Sequence, residues 1–170
     1  NISVFMSQGY FVFEPDIVFR PRQPGLSVVE CVTAGVKKVA AMGPVDPKRV
    51  GVIGHSWGGF DTVFLATHTN GVFAGAVAGA PITDLVSNYG NPHWSSGIAE
   101  TDHLETGQQR MEVPLYEDLP DYISGSSSVF VLAVNNARCD EIMCKSGFAV
   151  VAELKAGRDS HRLWEDVADQ

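Results

Sequence analysis

The sequence predicts an α/β fold, a mostly parallel sheet with helices on both faces, and three observations carry that prediction. Short apolar runs bounded by turn formers recur along the chain, as buried strands require. Stretches with helical spacing separate them. The run at 49–54 also meets the next helix pattern through a tight Gly-bearing turn.

The first apolar run, Gly9-Tyr10-Phe11-Val12-Phe13-Glu14-Pro15-Asp16, reads as a strand stopped by Pro and Asp. Arg20-Pro21-Arg22-Gln23-Pro24-Gly25 is a loop by composition. From residue 26 to 42, Val28, Val29, Val32, Val36, Val39 and Ala40 recur at helical spacing, and Gly43-Pro44 stops the pattern. Arg49-Val50-Gly51-Val52-Ile53-Gly54 is a second strand, residues 60–68 a helix, and Ala74-Gly75-Ala76-Val77-Ala78-Gly79-Ala80 a third strand closed by Pro81. Strand, helix, strand, helix, strand in this order implies crossover connections and parallel pairing.

Residues 83–128 break that rhythm with Gly, Ser, Asn, Pro and charged residues, among which Trp94, Met111, Leu115, Tyr116 and Tyr122 are apolar anchors. So long an interruption reads as an insertion or lid-like segment within a single domain spanning 1–170. Residues 129–134 restore a fourth strand, and residues 148–155 carry a further helix pattern ended near Gly157.

A chain of 170 residues suffices for one domain that buries roughly two-thirds of its unfolded surface. With 45% hydrophobic residues it has enough apolar surface to order itself. The net charge of −8 opposes both nucleic acid and anionic lipid as partners. Cys31, Cys139 and Cys144 have no metal-ligand spacing and read as reduced thiols. No apolar run approaches the ~20 residues of a membrane span. The opening Asn1-Ile2-Ser3-Val4 lacks a basic leader, so no signal peptide is read and the compartment stays unknown.

The chemistry concentrates at Gly54-His55-Ser56-Trp57-Gly58-Gly59, a Gly-x-Ser-x-Gly turn between a strand and a helix. Such a turn lifts the Ser56 hydroxyl above the strand ends, and the Trp57 N–H faces the same space, ready to donate to an oxyanion. Gly54, Gly58 and Gly59 keep the turn free of side chains, with Gly54 and Gly58 placed where a side chain would meet the neighbouring strand or helix. A serine hydroxyl is a weak nucleophile without a base oriented by a carboxylate. In the chain order Ser, Asp, His, the loop after residue 134 supplies Asp140, with Glu141 as the alternative, and His161 is the histidine that follows. His55 is expected to line the site, and His93 or His103 to border the substrate pocket. His68, His93 and His103 precede the acid and do not fit as the base.

Several blocks in order resemble the catalytic domain of the prolyl oligopeptidase family. They are Pro15-Asp16-Ile17 after the Gly-Tyr run, Glu30-Cys31-Val32-Thr33-Ala34-Gly35-Val36, Asp46-Pro47-Lys48-Arg49-Val50 before the elbow, Phe73 through Asp84, and Glu105-Thr106-Gly107-Gln108-Gln109-Arg110-Met111. The likeness spans roughly residues 5 to 125. It implies an α/β-hydrolase fold and serine-type peptidase chemistry on peptides or acylated peptides, with no metal or organic cofactor. It further implies that Ser56 is acylated and that Trp57 supplies one oxyanion N–H. The chain departs from the pattern after residue 134, where Asn135-Asn136 and Met143-Cys144 replace a His-Gly and a Val-Pro pair. Asp140 fits the family acid with a one-residue shift, and the family His falls near or beyond Gln170. The resemblance therefore implies a chain truncated or diverged at its C-terminus. An esterase on small acyl esters and a catalytically inactive hydrolase-like fragment are the alternatives. Oligomeric state is not legible.

Overall fold

A computed structural model of the chain describes residues 2–93 and 95–127. The element order is α1 (Ile2–Ser7), α2 (Pro24–Ala41), β1 (Gly51–His55), α3 (Trp57–His68), β2 (Gly75–Gly79), α4 (Leu85–Tyr89), α5 (Thr101–Glu105) and α6 (Leu119–Gly125). The expected strand at 129–134, the helix at 148–155 and the anchor Trp94 lie outside the described residues.

β1 and β2 pair in parallel, with Gly51 opposite Gly75 and His55 opposite Gly79. The fold is thus α/β, built on a β1–α3–β2 unit. Along β1 the burial alternates, as the two faces of a pleated strand dictate. One face packs on α3: Val52 joins the cluster containing Leu65, and Ala78 meets Val63. Ile53 and Val77 lie on the opposite face and are exposed among the described residues.

α2 begins at Pro24, a residue suited to the first helical position because its missing N–H would have no acceptor there. Val28 and Val32 form its buried stripe against Leu65 of α3. The two helices come close at Gly25, where a Cβ would lie 2.6 Å from Phe64 Cδ2. Any side chain at Gly25 would push α2 away from α3.

Residues 9–16 form no strand, contrary to the sequence expectation. Tyr10, Phe11, Val12 and Phe13 are exposed, although the Phe13 ring still covers Gly35 of α2. A strand is defined by its ladder partner, and the described sheet pairs β1 with β2 alone.

The stretch from residue 83 onward contributes heavily to the core. Leu85, Tyr89, Leu104, Met111 and Tyr122 are buried together with Trp57, Phe60 and Phe64 of α3. Local polar contacts hold this region in place. Asp84 caps α4 by accepting from the N–H groups of Val86 (2.9 Å) and Ser87 (3.2 Å). The Leu85 N–H donates to Ser126 Oγ (2.9 Å), tying α4 to α6, and the Tyr122 hydroxyl donates to the Val113 carbonyl (2.8 Å). Among the described residues, no helix is long and apolar enough to cross a membrane.

Candidate active site

Ser56 is the single residue between β1 and α3, and its backbone is forced to φ 57° and ψ −116°. A residue with a Cβ adopts such a positive φ only when its surroundings impose it. Here they do. The Ser56 N–H donates to the Gly79 carbonyl at the end of β2 (2.8 Å), and its own carbonyl accepts from the Phe60 N–H (3.1 Å). The strand end and the first helical turn therefore clamp the residue from both sides. The side chain stands exposed at the apex, and no described side chain hydrogen-bonds its hydroxyl.

The glycines divide in an unexpected way. A Cβ on Gly54 would collide with the Gly58 carbonyl and lie 2.7 Å from Thr62 Oγ1. On Gly59 it would lie 2.7 Å from the Gly79 carbonyl oxygen and 3.0 Å from Pro81 Cα. On Gly58 it meets nothing within 4 Å among the described residues. The crowding expected at Gly54 and Gly58 is found at Gly54 and Gly59. Gly58 sets its carbonyl against β1 but turns its Cβ position outward, whereas the Cβ position of Gly59 faces the end of β2.

A cavity of about 350 Å³ opens beside Ser56, with Trp57, Ala80, Asn88, His93, Glu100, His103 and Gln109 in its wall. Most of these residues come from the 83–128 stretch. The Trp57 indole stacks on Phe60 (ring centroids 4.1 Å apart, planes 8° apart), which fixes the start of α3. As the first residue of that helix, Trp57 has a backbone N–H with no intrahelical acceptor. Three buried polar atoms in the wall lack partners among the described residues: Trp57 Nε1, Asn88 Nδ2 and Gln109 Oε1. Two are donors and one is an acceptor.

His93 and His103 border this cavity, as the sequence suggested. His55 does not. It shares the face of β1 that carries Ile53, because residues two apart on a strand point the same way. His68 is held at the far end of α3, its ring stacked on Phe64 (3.9 Å) with Nδ1 against the Phe64 carbonyl (3.0 Å). Asp140, Glu141 and His161 lie outside the described residues. The sequence reading missed Glu100, Asn88 and Gln109. Only the three-residue spacing of Glu100 and His103, which puts both on one helical face, was there to be noticed.

Asp61 is a second titratable group close to the elbow. Burial pushes its carboxyl up to about 7, and its Oδ1 has no partner among the described residues. The folded chain then holds a proton that the unfolded chain has released between about pH 4 and pH 7. Stability present at low pH is lost as the pH rises through about 7. The expected result is that Asp61→Asn raises the thermal midpoint by several degrees at pH 8 and flattens the fall in stability, as measured by melts between pH 5 and pH 9. Equal slopes for the two proteins would show that Asp61 is solvated.

In sequence, residues 21–163 match the profile of the prolyl oligopeptidase family, a stretch containing the elbow and the positions of Asp140 and His161.

Proposed function

The chain belongs to the prolyl oligopeptidase family, a family of serine hydrolases with the α/β-hydrolase fold, and on that premise we propose that it hydrolyses peptide or acyl-peptide bonds through an acyl-enzyme at Ser56. The observation that carries this reading is the strained Ser56 backbone at the mouth of a polar-walled cavity. Nothing in packing calls for serine at that position. Glycine would adopt the same angles more easily.

The proposed roles follow the order of the chain. His161, oriented by Asp140, takes the proton from Ser56 Oγ as the oxygen attacks the substrate carbonyl carbon. The Trp57 N–H donates to the oxyanion that forms. Collapse of this intermediate breaks the C–N bond, and His161 returns the proton to the leaving amine. Water then attacks the acyl-enzyme by the same route, releasing the acid and restoring Ser56. Residues 83–128 supply the wall that holds the substrate, and residues 1–170 act as one catalytic domain.

A fluorophosphonate, which phosphonylates activated serines with loss of fluoride, provides the test. Stoichiometric labelling of the chain, absent in Ser56→Ala, is the expected result. A sample that melts cooperatively yet takes up no label would mark an inactive relative. Faster turnover of an ester than of the matching peptide anilide, beyond their intrinsic reactivity difference, would favour the esterase reading.

A further inference from the structure

We propose that His93, Glu100 and His103 form a binding site for a divalent cation of the zinc class, opening into the same cavity as Ser56. Their potential ligand atoms all lie within 4.8 Å of one another. His93 Nε2 contacts one carboxylate oxygen of Glu100, and His103 Nδ1 lies 3.2 Å from the other. Two imidazoles and a carboxylate, with one position left for water or substrate, are a donor set that Zn²⁺ accepts. Ligand atoms about 2.0–2.2 Å from zinc in a tetrahedron sit ~3.3 Å apart. Small rotations of the two exposed imidazoles supply the remaining closure.

The backbone prepares this arrangement locally. The His93 carbonyl accepts from the N–H groups of Ser96 (3.2 Å) and Gly97 (2.7 Å), and the His93 N–H donates to the Ile98 carbonyl (2.9 Å). Gly97 takes a positive φ of 68°, and a bridge between Pro92 and Ala99 closes the turn, bringing His93 back beside Glu100. Glu100 sits at the N-cap of α5, immediately before Thr101, so His103 stands about one turn later on the same side. The fully buried Leu104 fixes α5 to the core.

Electrostatics calls for positive charge at this trio. Glu100 is 8% exposed, and a carboxylate removed from water needs a positive partner. The described cavity wall contains no Lys or Arg. A divalent ion held between the imidazoles supplies that charge. It also presents an open coordination site to a carboxylate or carbonyl oxygen of whatever occupies the cavity.

The site does not depend on the Ser56 chemistry and is tested separately. The full chain is titrated with Co²⁺ as a spectroscopic stand-in and dialysed against Zn²⁺. One ion per chain is expected, with visible absorption of a nitrogen and oxygen donor set and no thiolate charge-transfer band from Cys31, Cys139 or Cys144. His93→Ala and His103→Ala should each weaken binding at least tenfold. Both histidines are more than half exposed, so each variant should still melt cooperatively without metal, and Ser56→Ala should keep full stoichiometry. Zn²⁺ should raise the melting temperature of the parent and not of the histidine variants. No binding at micromolar Zn²⁺, a thiolate band, or unchanged affinity in the His93→Ala, His103→Ala double variant would overturn the proposal.

Discussion

Gly54→Ala is expected to destabilise the chain by about 3 kcal/mol or more, whereas Gly58→Ala should stabilise it by about 0.5–1 kcal/mol. The two glycines flank the same serine, and the sequence motif treats them alike. Their surroundings differ. A methyl group on Gly54 would overlap the Gly58 carbonyl and crowd Thr62 Oγ1, which itself donates to that carbonyl (2.8 Å). Backbone cannot rotate out of the way as a flexible side-chain end can, so β1 and α3 would have to separate. That would open the contacts of Val63 with Ala78 and of Leu65 with Val52. Gly58 lies in the first turn of α3 with open space where its Cβ would go. Alanine there restricts the unfolded chain and strains nothing. Urea denaturation of the two variants measures the difference. Equal destabilisation would mean that the Gly58 position is crowded as well.

Ser56→Gly should stabilise the fold by about 1 kcal/mol and lower any hydrolytic turnover by at least ~10³-fold. A side chain held at positive φ costs of order 1–3 kcal/mol, and glycine removes that strain. Glycine also has a more disordered unfolded state, which takes back about 0.5–1 kcal/mol. The balance remains favourable. Ser56→Ala keeps the Cβ and the strain, so it should lose the activity without gaining stability. If Gly and Ala variants are equally stable, the backbone is not strained at this point. A stability gain in the glycine variant with turnover intact would place the nucleophile elsewhere. The pair of substitutions therefore separates the energetic role of the Ser56 backbone from the chemical role of its hydroxyl.

The β1–α3–β2 unit was legible in the sequence because its signals are local. Runs of small apolar residues between turn formers, and a Gly-rich junction into a helical pattern, state their conformation within about ten residues. The first apolar run reads equally well as a strand yet forms none, with Phe11 and Val12 exposed and Phe13 lying over Gly35. Apolar character makes a segment fit to be a strand, but only a neighbour with free N–H and carbonyl groups makes it one. The 83–128 stretch was legible only in part. Met111 and Tyr122 stood out as apolar anchors and are buried, but Leu85 and Leu104, set among polar neighbours, join the same core over α3 without a periodic pattern to mark them.

The sequence by itself determined the α/β class, the parallel β1–β2 pairing around α3, and the elbow at Ser56. Each follows from conformational preferences acting between near neighbours. Tertiary structure alone decided which glycines are crowded, that His55 turns away from the cavity, and that Glu100 meets both His93 and His103 beside Ser56. These depend on how one element is rotated against another. Side-chain packing at long range sets that rotation, and no stretch of the chain read alone contains it.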